Sequence, residues 1–148
     1  MVLRIYLDNC CYNRPFDNQK DLTILKETSA KLYIQSLVKY RALELVYSSI
    51  SVQEITDSPF EENSHSILGY IEQNAKYYVS KENNETAIAL TENIMASGVK
   101  LKDASHIACA IIAKCDYLIT TDKRMLKYQD SRIKVTSPIE FVKIWRDL

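Results

Sequence analysis

The chain has 148 residues, 47% hydrophobic and 26% charged, with 19 basic residues balanced by 19 acidic ones. That size and balance suit one folded domain with one core, so 1–148 is read as a single domain. Two glycines and three prolines are too few for the tight turns of an all-β sandwich, and zero net charge, taken alone, speaks against a nucleic-acid binder. No apolar run reaches the roughly 18 residues that suggest a membrane span. The opening "MVLRIYLD" is too short and too soon acidic for a signal peptide, and a cytoplasmic protein is expected.

Strand-like and helix-like segments alternate along the chain, with no repeat and no linker between them. "LRIYLD" (3–8) predicts a first strand. A helical stretch follows over about 18–41, with Ile24, Leu25, Ile34, Leu37 and Val38 at helical spacing. "ELVYSSI" (44–50) predicts a second strand. Ser51 is placed to cap the next helix, with Glu54 three residues on as the second half of a capping box. Another helix is expected over 62–75, and "YYV" (77–79) reads as a short third strand. An amphipathic helix over 84–97 is closed by Gly98. "DASHIACAIIAK" (103–114) is a strongly apolar, central helix, and "DYLITT" (116–121) is a fourth strand. A short helix over about 123–129, a weak fifth strand at 133–135 and a last helix over 137–145 complete the chain. That last helix carries its own start signal: Ser137 at the cap, Pro138 at the first position and Glu140 at the third. Such alternation predicts an α/β protein: a three-layer α/β/α sandwich around a mostly parallel sheet of about five strands.

Cys10, Cys11, Cys109 and Cys115 form no C-x-x-C pair, which argues for free, mostly buried thiols rather than a zinc site. Charge is less even than its total suggests. Between 99 and 134, eight basic residues (Lys100, Lys102, Lys114, Lys123, Arg124, Lys127, Arg132, Lys134) face four acids (Asp103, Asp116, Asp122, Asp130), a local balance of +4. This third of the chain reads either as a phosphate-facing surface or as ordinary solvated helix faces.

In a parallel sheet, sites form at the carboxyl ends of the strands. Asp8 ends the first strand, Glu54 lies early in the helix after the second, and Asp122 directly follows the fourth. Asp103 begins the helix that leads into the fourth strand, so it too can reach that edge. Converging carboxylates repel by about 4 kcal/mol per pair at about 4 Å and an effective dielectric near 20. A cation relieves that repulsion, and an oxygen-rich set suits Mg²⁺ or Mn²⁺. Each acid also has a structural reading: Asp8 as a turn residue, Glu54 as half of a capping box, Asp103 and Asp122 as helix-start residues. A haloacid-dehalogenase-like phosphatase is excluded because its Asp-x-Asp would need an acid where Cys10 stands, and a receiver domain because the third strand ends in "YVS".

Taken together, "YLDNCCYNRPFD", "YSSISVQEI", "LKDASHIACAIIAKCDYLITTD" and "SPIEFV" resemble PIN-domain proteins of the VapC-like kind, over almost the whole chain. The resemblance implies that Asp8, Glu54, Asp103 and Asp122 bind Mg²⁺ or Mn²⁺ and carry catalysis. It further implies an endoribonuclease acting on RNA, often the toxin of a pair with a small antitoxin protein, and often a homodimer. A catalytically silent module of the same fold that binds RNA or protein is the competing reading. Members often carry Thr or Ser beside the first Asp, where this chain has Asn9. Around this set, His106 reads first as a packed histidine bonded to backbone, with orienting Asp103 or touching substrate as the alternative. Thr121 is placed to hold a metal-bound water or cap a helix, Arg14 to lie on the surface or meet phosphate, Tyr12 to stack a base, and Asp116 to serve structure at the opposite edge.

Overall fold

A computed structural model describes residues 2–13, 21–59 and 61–148. Five strands form one sheet: β1 (Leu3–Leu7), β2 (Leu43–Ser48), β3 (Tyr77–Val79), β4 (Tyr117–Ile119) and β5 (Lys134–Thr136). Their spatial order is β3-β2-β1-β4-β5, and every pairing is parallel. The helices among the described residues are α1 (Asn9–Asn13), α2 (Leu22–Lys39), α3 (Ser49–Thr56), α4 (Glu61–Asn74), α5 (Glu85–Met95), α6 (Leu101–Ile112), α7 (Lys123–Leu126) and α8 (Pro138–Arg146). This is the expected three-layer α/β/α sandwich.

The pleat of β1 sorts the core. Ile5 and Leu7 point to one face, where Ile34 and Val38 of α2, Ile67 and Ile71 of α4 and Phe141 of α8 cover them. Tyr6 points to the other, with Val46, Leu118 and the α5–α6 residues Ile94, Ala104, Ile107 and Ala108. β1 is central and buried on both sides, as a parallel strand should be. Its register sets Tyr6 opposite Val46 on β2 and Leu118 on β4. Small residues along α6 (Ala104, Ala108, Cys109, Ala110) are all fully buried and let that helix lie close to the sheet.

Local signals terminate the elements. Asp21 accepts from the amides of Thr23 and Ile24 and starts α2. Asn84 caps α5 through Ala87, and Gly98, at φ 103°, ends it as the sequence predicts. Ser137 and Pro138 open α8 as expected. At the amino edge of the sheet Asp116 accepts the Arg4 amide at 2.8 Å, the structural role foreseen for it.

One cap differs. Helix α3 begins earlier than expected: Ser48, not Ser51, is its N-cap, and Ser51 is the third helical residue that closes the capping box. The hydroxyl of Ser48 does the work that Ser51 was expected to do, so Glu54 is released from any capping role. Among the described residues no helix is long and apolar enough to cross a membrane. The four cysteines are free thiols, three of them buried.

Candidate active site

Parallel pairing brings the carboxyl ends of β1, β2 and β4 to one edge. There a groove of about 660 Å³ is lined by Asp8, Glu54, Asp103 and Asp122, together with Asn9, Cys10, Asp57, Ser58, Lys102 and Thr121. The backbone thus gathers all four predicted acids around one space.

Asp8 is 8% exposed, and its two carboxylate oxygens are both engaged. The Asn9 amide donates to Oδ1 at 2.8 Å, and the Thr120 hydroxyl donates to Oδ2 at 2.7 Å. The Cys10 thiol also reaches Oδ2, at 3.3 Å. Asp8's own amide donates to the Ile119 carbonyl, so β1 and β4 remain paired right up to the site. The Thr120 oxygen in turn accepts the Asp122 amide at 3.0 Å. Thr120 therefore links two of the acids, whereas the sequence points only to its neighbour Thr121, as a holder of a metal-bound water or a helix cap. Asp122 caps α7 by accepting the Arg124 amide at 2.8 Å, while its side chain still borders the groove. Capping and facing the site coexist in one residue.

Asp103 lies in the first turn of α6, where the helix dipole favours a negative charge. Burial nonetheless raises its carboxyl above the usual range, and the charges of Asp122 and Asp8 push the same way. The charge of His106 works in the opposite sense without cancelling them.

His106 departs most from expectation. It is 1% exposed and bonds no backbone group through its ring. Nε2 lies 2.8 Å from Glu54 Oε1 and 3.7 Å from Asp8 Oδ1. Nδ1 lies 2.5 Å from the Tyr6 hydroxyl. Burial, the largest influence, works against a proton on the ring, but the Glu54 hydrogen bond and the charges of Asp8 and Glu54 outweigh it and raise its basicity. The available signal was its position three residues after Asp103, on nearly the same helix face. Nothing in the sequence shows Glu54 or Tyr6 opposite it.

Tyr12 also differs from expectation. Tyr12 is 3% exposed and packed in the core, which leaves no face for a base. Lys31 of α2, which the sequence does not single out, is 2% exposed and donates to the Cys10 carbonyl, tying α2 to α1. Arg14 lies outside the described residues.

Do these groups suit a divalent cation? Asp8, Glu54 and His106 each offer one ligand atom, all within 4.8 Å of one another. Asn9 Oδ1 is shielded from solvent and accepts no hydrogen bond, an oxygen whose lone pairs are left unused at the rim of the groove. The carboxyl of Asp103 is raised by burial and by the charges of Asp122 and Asp8, which a cation would offset. An oxygen-dominated set with these properties fits Mg²⁺ or Mn²⁺.

The whole backbone has known counterparts. VapBC2 from Rickettsia felis, solved bound to a DNA fragment from its promoter, matches with a TM-score of 0.57 at 15% identity, over 91% of this chain and 98% of that one. FitAcB from Neisseria gonorrhoeae matches with a TM-score of 0.57 at 16% identity, over 90% of this chain and 97% of that one. This is a VapC-like PIN fold. At such low identity the likeness establishes the PIN fold and not the chemistry. No protein-family model matches the chain, and no curated protein sequence is similar to it. The groove sits where the strand ends of the PIN fold converge, and its chemistry has to be argued from its own residues.

Proposed function

We propose that the chain is a Mg²⁺- or Mn²⁺-dependent endoribonuclease that hydrolyses RNA phosphodiester bonds and serves as the toxin of a toxin–antitoxin pair. The observation that carries this reading is the single groove in which Asp8, Glu54, Asp103 and Asp122 meet, on a PIN fold. In this proposal the four carboxylates hold the cation. When bound, such an ion activates water and stabilises charge on a scissile phosphate. The protein's own part is positioning. Asp8 is held by Thr120 and the Asn9 amide, and Asp122 by its cap on α7. Lys102, which lines the groove, offers the positive charge that an RNA backbone needs. The likeness to VapBC2 and FitAcB, both toxin–antitoxin complexes, supports a small antitoxin protein as partner. Residues 1–148 then act as one PIN-like domain in the cytoplasm, as a homodimer.

The test joins binding to turnover. Thermal unfolding of the wild type and of Asp8→Asn is followed in EDTA, Mg²⁺ and Mn²⁺, beside cleavage of a mixed single-stranded RNA pool. A cation that binds only the folded wild type stabilises it by about 2.7 kcal/mol at a hundredfold excess over Kd. Asp8→Asn should show no such gain, and its cleavage rate should fall roughly a hundredfold or more. Full cleavage by Asp8→Asn would sink the assignment. RNA that binds equally well in EDTA and is never cut would instead favour the catalytically silent module.

A further inference from the structure

Behind the groove lies a second, wholly buried set of polar groups that the proposed chemistry leaves unused. We propose that Tyr6 and His106 are positioning residues that fix the Glu54 carboxylate beside Asp8, and that His106 is not itself a metal ligand. The metal-related half of this inference rests on the nuclease reading above; the positioning half does not.

The geometry is specific. The Tyr6 hydroxyl meets three side chains: Ser48 at 2.6 Å, Ser51 at 3.0 Å and His106 Nδ1 at 2.5 Å. Ser48 and Ser51 are the capping box of α3, so the helix that carries Glu54 is gripped at its first turn by Tyr6. The same helix is gripped again one turn on, where Glu54 meets His106 Nε2 at 2.8 Å. Tyr6 stands two residues before Asp8, and His106 three after Asp103. The network therefore locks together the three elements that supply Asp8, Glu54 and Asp103: β1, α3 and α6.

Two physical arguments assign its role. A carboxylate only accepts hydrogen bonds, so Nε2 carries the proton that it shares with Glu54. Nδ1 is occupied by Tyr6. In the metal-free structure both nitrogens are thus committed to neighbouring side chains, Nε2 to Glu54 and Nδ1 to Tyr6, although the ring's position beside Asp8 and Glu54 resembles that of a ligand. Stability alone does not account for the set. Buried polar pairs gain little over apolar groups of the same shape, and an edge-on aromatic contact such as that between Tyr6 and His106, with centroids 5.5 Å apart, needs no hydrogen bond. The polar pair orients a flexible side chain before any ion arrives, and partners of this kind commonly govern metal affinity by 10–100-fold.

The experiment uses the full chain and has a metal-free arm and a Mn²⁺ arm. In the first, crystal structures of metal-free Tyr6→Phe and His106→Leu are compared with the wild type. The Glu54 carboxylate should leave its place beside Asp8 in both; if it stays, the proposal is overturned. In the second, Mn²⁺ is titrated calorimetrically. His106→Leu should weaken binding about tenfold, His106→Gln, which keeps a donor, should recover most of it, and His106→Leu should add nothing in a Glu54→Gln background. Equal losses in both backgrounds would overturn the proposal, as would nitrogen coupling in the electron-spin-echo spectrum of the Mn²⁺-loaded wild type. A wild type that binds no Mn²⁺ would overturn the nuclease reading and the metal-related half with it, while the metal-free structures still decide the positioning half.

Discussion

Single residues in this site answer to two demands at once. Asp122 caps a helix and borders the groove; Asp103 favours a helix start and suffers its neighbours' charge. The structural readings available for these acids in the sequence were therefore correct without being exclusive. Asp103 gives the clearest prediction. Its folded-state carboxyl is raised by burial, Asp122 and Asp8. A raised carboxyl favours folding below its unfolded value, near 3.9, and that advantage is lost as pH rises through the folded value. At neutral pH without metal, the ionised Asp103 consequently costs stability. Asp103→Asn should melt higher than the wild type in EDTA at pH 7, the gap should close toward pH 3.5, and Mn²⁺ should no longer stabilise the variant. A melting series over that pH range checks it. The base-stacking role expected of Tyr12 fails for a reason that also hides Lys31 from the sequence. Tyr12 and Lys31 are amphipathic side chains whose burial depends on what packs over them, and nothing local distinguishes a buried Lys31 from a solvated one.

At the scale of elements, start and stop signals were the most legible part of the chain. Gly98, Ser137 and Pro138 act where their chemistry predicts. The start of α3 is the exception, because "YSSISVQEI" offers several serines in a row, and any of them can cap. The choice fell to Ser48, whose hydroxyl also meets Tyr6 of the neighbouring strand and is completely buried. Tertiary contact decided between caps of equal local merit. Ser48→Ala removes both the cap and the Tyr6 partner, and should destabilise the protein by about 1–2 kcal/mol in urea unfolding. Ser49→Ala, which leaves the Ser48 cap intact, should cost less.

The whole molecule is organised by its parallel sheet. Alternating strands and helices predicted that sheet, and the parallel pairing of β1, β2 and β4 then sends three strand ends to one edge. The sheet is held by apolar layers on both faces, so one central residue should affect everything. Leu118 is fully buried opposite Tyr6 on the α5–α6 face. Leu118→Ala should cost about 2–5 kcal/mol, and lower Tm by roughly 2–4 °C for each kcal/mol. Calorimetry of the metal-free protein measures it. What the sequence by itself determined is the order of elements, the parallel sheet and the edge at which Asp8, Glu54, Asp103 and Asp122 collect. Those follow from hydrophobic period, caps and connection rules, all written in short windows of chain. Only the tertiary structure decided which side chains meet across that edge: Thr120 with Asp8 across 112 positions, and Tyr6 with His106 across 100. Such pairings depend on how each helix is rotated against the sheet, which the packing of both core faces sets and no single segment contains.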